Sequence, residues 1–353
     1  MNTPSPPPFK GRGAVISPPN RFQDWSVEND PESFDPEAPG PQTRFYPDQS
    51  TTILCRNDSP DVGFTFSINP YRGCEQGCAY CYARPTHEYL GWSAGLDFES
   101  KIMVKYDAPE LLRKELSSKN WTPQCISMSG VTDCYQPAEK KFRITRACLE
   151  VLAEFRNPVG LITKNHLICR DLDLFKELHR HQCVRTVVTM TTLDPDLSRK
   201  LEPRASLPSH RLDAVSNLAA AGIPVGINIA PVIPGLTDVE IPAILKAARA
   251  AGASSAGRVM LRLPFAVKEL FTAWLETHFP EKKDRILARV QHIRGGKLND
   301  ANFGSRMRGE GIFADQIEQL FRVSKQKAGY PETSTELSVA HFRRPGENQM
   351  ELF

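Results

Sequence analysis

At 353 residues the chain can hold one large domain or two small ones, and it can bury a sizeable core. Forty-four basic against 41 acidic side chains give a formal net charge of +3, which neither demands nor excludes nucleic acid, since such binding can rest on a local basic stripe. The opening MNTPSPPPFKGRG has no apolar core of secretory length and no later run approaches a membrane span, so a cytoplasmic protein without a membrane partner is expected; nine scattered cysteines fit a reduced compartment.

Residues 1–55 carry much of the proline and little hydrophobic periodicity, and read as a partly disordered arm. Gly11-Arg-Gly-Ala14 and Asn20-Arg-Phe22 are its candidate docking points, because glycine allows close backbone approach and an aromatic anchors. A core over residues 56–280 then alternates short apolar runs with amphipathic stretches. Strands are expected at Phe64–Tyr71, Cys125–Ser129, Val159–Thr163, Val184–Met190, Pro224–Val232 and Arg258–Leu263. Helices are expected at Pro109–Leu116, Ala138–Phe155, Leu172–His179, Ser209–Ala221 and Val239–Ala251. Six such units with short connections predict one curved parallel sheet with helices outside. Residues 281–353 form an extension with a glycine- and arginine-rich stretch, a helix at Phe313–Lys327 and a tail.

The first strand runs into Cys74-Glu-Gln-Gly-Cys78-Ala-Tyr-Cys81. Three soft thiolate donors within eight residues suit an iron–sulfur cluster or zinc. A structural zinc needs a fourth ligand, whereas a cubane held by three cysteines leaves one iron open.

The spacing C-x3-C-x2-C, with Tyr80 before the third cysteine, resembles the signature of radical S-adenosylmethionine enzymes. That resemblance implies a partial (β/α)6 TIM-like barrel over residues 56–280, flanked by the N-terminal arm and the C-terminal helical extension. It also implies a [4Fe–4S] cluster on Cys74, Cys78 and Cys81, with S-adenosylmethionine chelated at the open iron. Reductive cleavage would give a 5′-deoxyadenosyl radical that abstracts hydrogen from a substrate. The electron would come from a donor such as flavodoxin or ferredoxin, and the chain would act as a monomer. Other readings are a lyase-like enzyme repairing a DNA photolesion and, in another class, a non-catalytic iron–sulfur or zinc protein.

Chemistry in such barrels sits at the C-terminal ends of the strands. After the second strand, Ser129, Thr132 and Asp133 offer hydroxyl and carboxylate groups to a polar ligand, or cap the next helix. After the third stands Lys164, a strand-end surface lysine or a cation facing the mouth. The fourth delivers Thr189, Thr191 and Thr192, which β propensity alone also explains, and its loop carries Glu202 and Arg204, a polar clamp or a salt bridge. Asn228 interrupts an apolar fifth strand and must find partners. Thr191 is read as a ribose contact; resemblance to the spore photoproduct lyase branch places Thr132 at the cofactor's amino-acid end and Lys164 at its carboxylate, and the wider family resemblance sets Tyr80 and the Asn228 segment by the adenine. In that branch the hydrogen donor is a cysteine two residues before the hydroxyl; here Gly130 holds that position, and Cys134 is a displaced candidate. In the extension, Arg294, Lys297, Arg306 and Arg308 either cradle an anion or pin a turn-rich segment.

Overall fold

The computed structural model describes residues 9–23, 42–331 and 336–345. Ten strands are present among them: β1 (Arg44–Pro47), β2 (Leu54–Arg56), β3 (Phe66–Ile68), β4 (Tyr71–Arg72), β5 (Lys101–Val104), β6 (Ile126–Met128), β7 (Val159–Thr163), β8 (Val184–Thr189), β9 (Val225–Val232) and β10 (Ser255–Met260). Seven form one sheet in the order β10-β9-β8-β7-β6-β3-β2. From β3 to β10 every pairing is parallel and follows chain order; only β2 runs antiparallel, at the edge. Winding in one direction is what a partial (β/α)6 TIM-like barrel requires, because each crossover returns its helix to the same face.

Period-two alternation decides which face is filled. Ile126, Met128, Val159, Leu161, Val184, Val188, Val225, Ile227 and Ile229 pack into the main core with Leu149, Leu152, Phe175, Leu178, Leu218 and Leu245 of the helices. The intervening residues form cross-strand rows on the concave face. Ser67, Ser127 and Gly160 share one row, Val187, Gly226 and Ser255 the next, and Thr189, Asn228 and Gly257 a third. Arg185 continues the first row and Ile162 the second, so small and polar residues share this face with larger side chains.

Three boundaries differ from expectation. The strand expected at Phe64–Tyr71 divides into β3 and β4, and β4 joins a second sheet of order β1-β5-β4. The helix expected at Ala138–Phe155 breaks at Arg143, whose left-handed backbone (φ 56°) separates Glu139–Phe142 from Ile144–Phe155. The last strand lies at Ser255–Met260, three residues earlier than expected. Beyond it, helices Val267–His278 and Pro280–His292 and the helix Ile312–Lys327 follow; the last packs Ile317 and Phe321 into the core. Expectations on residues 1–8 and 24–41 of the arm lie outside the described residues.

Candidate active site

The cysteine loop leaves the small sheet at β4 and is held from four sides. The Cys74 amide donates to Phe98 O (2.9 Å), and Gln136 Oε1 accepts from the Glu75 amide (2.9 Å). Arg204 N donates to Gln76 O (3.2 Å) and Ala79 N to Leu201 O (3.0 Å), tying the loop to the segment after β8. Arg84 donates through Nε to Cys78 O (3.0 Å) and through Nη1 to Ala94 O and Gly95 O, while ion-paired with Glu99; both side chains are inaccessible. Glu99 also accepts from the amides of Gly13 (3.0 Å) and Ala14 (2.8 Å), so the N-terminal arm docks on the acid that braces the loop. Contact is too close for a side chain: a Cβ on Gly13 would stand 1.7 Å from Gly77 O.

Cys74 and Cys78 are buried, Cys81 is half-buried, and all three are free thiols. Burial raises Cys74 well above the usual thiol value, and Asp133, Cys78 and Cys81 raise it further. Burial pushes Cys78 up to about 12, with Lys164 opposing and Glu202 and Cys81 adding. Among the described residues, no three Cys, His, Asp or Glu side chains stand pre-gathered around one metal position. The donor set is nonetheless three mutually repelling, uncrosslinked soft ligands in one loop. A cationic centre would favour their ionised forms, as Lys164 and Arg211 already do in part for Cys78, which fits a thiolate-held cluster.

Beneath the loop lies a buried polar network. The Tyr80 hydroxyl donates to Glu202 and lies 3.1 Å from Thr191 Oγ1; Thr191 donates to Glu202 (2.7 Å), and Arg211 pairs with Glu202. Arg211 further donates to Ser206 O (2.7 Å) and Thr189 O (3.1 Å). Lys164 Nζ lies 5.8 Å from the centre of the Tyr80 ring and, among the described residues, makes no hydrogen bond or ion pair. Burial disfavours its cation, but Cys78 and Glu202 outweigh that and raise its pKa. Three sequence elements thus meet at one mouth: the loop after β4, the end of β7 and the end of β8.

Residues 68–248 match the family model described as the Radical SAM superfamily. The chain belongs to that superfamily. Its members use a [4Fe–4S] cluster and S-adenosylmethionine and need an electron donor. An uncharacterised protein of Mycobacterium tuberculosis is 34% identical over 254 residues, covering 70% of this chain and 74% of that one. The Radical SAM Nalpha-GlyT isomerase of Pseudomonas phage M6 is 28% identical over 198 residues, 56% of this chain and 39% of that one. Among solved structures, spore photoproduct lyase complexed with dinucleoside spore photoproduct superposes with a TM-score of 0.57 at 16% identity, covering 81% of this chain and 79% of that one. That likeness is one of fold.

Against the radical SAM frame, the other expected residues separate into two groups. Thr132 donates to Gly73 O (2.7 Å) and accepts from Gln136 Nε2 (2.9 Å). Asp133 accepts from Thr163 Oγ1 (2.7 Å), Tyr135 N (2.8 Å) and Lys164 N (2.9 Å). Ser129, at φ 82°, accepts from Cys134 N (2.8 Å). Thr132 and Asp133 join the β6 loop to the cysteine loop and to β7, and Ser129 ties that loop to itself and to β3; none caps the next helix, whose cap is Ala138. Asn228 and Lys164 form the second group. The Asn228 side chain, on the concave face beside Gly257, makes no hydrogen bond among the described residues.

Cys134 is fully buried in the main core. Glu202 and Arg204 are salt-bridged, to Arg211 and to Glu75 (3.0 Å) respectively. Thr192 donates to Glu240 (2.6 Å). Arg294 donates to Met260 O, Leu261 O and Ser305 O, and Arg306 pairs with Asp61 and donates to Ser59 (2.5 Å), so the extension is a pinned turn. Sequence reasoning missed Arg84, Glu99, Gln136 and Arg211. Only Gln136 had a signal, its place in the Asp133–Gln136 stretch; the others act through partners distant in sequence. Among the described residues no helix is long and apolar enough to cross a membrane.

Proposed function

We propose that Cys74, Cys78 and Cys81 hold a [4Fe–4S] cluster and that the chain cleaves S-adenosylmethionine reductively, for hydrogen abstraction from a substrate. When bound, the cluster supplies the electron that splits the sulfonium to a 5′-deoxyadenosyl radical. The chain supplies positioning. Lys164 offers a point charge to the cofactor carboxylate, and its ammonium stays protonated because Cys78 and Glu202 favour it. Glu202 and Thr191 fix the Tyr80 ring beside that lysine, and the Asn228 amide is available to the adenine. Ser129, Thr132 and Asp133 set the loop geometry. The concave face of the sheet receives cofactor and substrate. We further propose a monomer that receives its electron from flavodoxin or ferredoxin.

One observation carries this reading: three uncrosslinked cysteines share the loop after β4, and Lys164, without an ion pair among the described residues, stands at the end of β7 beside Tyr80 of that loop. A repair-lyase reaction is less well supported, because Cys134 lies wholly inside the core. After anaerobic reconstitution the protein should carry about four irons per chain and, with dithionite, release 5′-deoxyadenosine. Cys81→Ser should lose both while keeping its far-ultraviolet circular dichroism. One zinc with no iron, or a loaded cluster that never cleaves the cofactor, would sink the proposal.

A further inference from the structure

Two cations at the mouth lack an anionic partner among the described residues. Lys164 is one, and the cofactor reading above uses it. The second is Arg262, two residues beyond the end of β10. Its guanidinium lies 5.0 Å from the centre of the Tyr82 ring, and Tyr82 directly follows Cys81. Tyr82 is tied in place by its hydroxyl, which donates to Gly130 O (2.5 Å) in the β6 loop. Its charged neighbours are Cys81, Arg262 and Lys164, so the arginine shares the mouth with the cysteine loop.

Among the described residues no carboxylate pairs with Arg262. Asp61 acts on it only at a distance, because it pairs with Arg306 and accepts from the Gly304 amide (2.5 Å). Arg294 spends its donors on backbone carbonyls. The charges of Arg306 and Arg294 also act on or feel Arg262, and neither arginine offers it an acceptor. A half-buried guanidinium stacked on a fixed ring presents its fork in one orientation, which suits a planar or tetrahedral oxyanion.

We propose that Arg262 anchors a carboxylate or phosphate of the substrate, at a position separate from the one Lys164 serves. This rests on the radical SAM reading of the site, because only then does the mouth hold a substrate beside a cofactor. It places the substrate among anionic molecules and orients it from β10, across the sheet from β7.

The test uses the reconstituted, S-adenosylmethionine-loaded protein titrated with methyl phosphate and with acetate at matched ionic strength, each followed by nuclear magnetic resonance line broadening. Saturable binding of at least one is expected; which one binds tighter assigns a phosphorylated or a carboxylic substrate. Arg262→Gln should weaken it at least tenfold, Arg262→Lys should retain part of it, and Arg322→Gln, on an exposed helix face, should leave it unchanged. Equilibrium dialysis should give Arg262→Gln and wild type the same affinity for S-adenosylmethionine. No saturable binding, equal anion affinity in Arg262→Gln, or binding lost in Lys164→Ala but kept in Arg262→Gln would overturn this inference alone. Wild-type protein that takes up no S-adenosylmethionine would sink both readings.

Discussion

Glu202 is 1% exposed and serves Tyr80, Thr191 and Arg211 at once. Burial opposes its ionisation, but Arg211 and Lys164 hold its pKa below the ordinary value of 4.5. Glu202→Ala would strand Arg211 as a lone buried charge, a loss of about 3–5 kcal/mol. Urea melts should show that loss, and replacing both partners by leucine should recover much of it; a single mutant as stable as wild type would contradict the network. His87, beneath the cysteine loop, gives a pH dependence. Burial lowers its pKa from 6.5 to about 4. The unfolded chain therefore takes the proton first as pH falls, so stability is full above 6.5 and drains between 6.5 and 4. That drain is about 3 kcal/mol, and His87→Phe should flatten this part of the curve. At this scale the positions of Lys164, just past β7, and of Asn228, inside β9, were legible, because a polar residue closing or interrupting an apolar strand is visible in one dimension. Glu99 was not, since its meaning lies in Arg84 and in the amides of Gly13 and Ala14.

Among elements, those defined by their own pattern were legible. Strand β7 matches its expected bounds, and the helices Ala108–Ser117 and Leu172–Arg180 agree within a residue at each end. Elements defined by a partner were not. The run Arg258–Leu263, apolar apart from its two arginines, suggested a later β10, but pairing with β9 begins at Ser255, where Gly226 waits opposite. The left-handed break at Arg143 has no composition signal, as arginine is an ordinary helix former. The arm makes the sharpest prediction at this level. Gly13→Ala puts a methyl into Gly77 O, so the arm must lift off Glu99. Limited proteolysis should then cut within residues 9–23 many times faster than in wild type, and the cluster should bleach sooner in air. Unchanged cleavage would mean that the arm does not brace the loop.

Among the described residues the main sheet is open, and its two edges are β2 and β10. Such an opening exposes unpaired strand backbone. The chain spans it with side chains: Asp61, in the loop after β2, meets Arg306 and the Gly304 amide from the extension beyond β10, and Ser59 accepts from the same arginine. Burial works against the Asp61 carboxylate, yet the Gly304 amide and Arg306 hold its pKa below the ordinary 3.8, so the bridge stays charged at neutral pH. The partners lie 245 residues apart, which is why the arginine read equally well as an anion cradle in sequence. If they close the open side, Asp61→Asn should speed hydrogen exchange in residues 57–63 and 300–308 together while leaving the helix Ile144–Phe155 unchanged. The charge swap Asp61→Arg with Arg306→Asp should restore much of the protection, because the pair would re-form with its polarity reversed. Faster exchange in only one segment would show that the loop and the extension are held separately. Acceleration that reached the helix as well would show a general loss of stability, and the edge-to-edge bridge would then not be the cause.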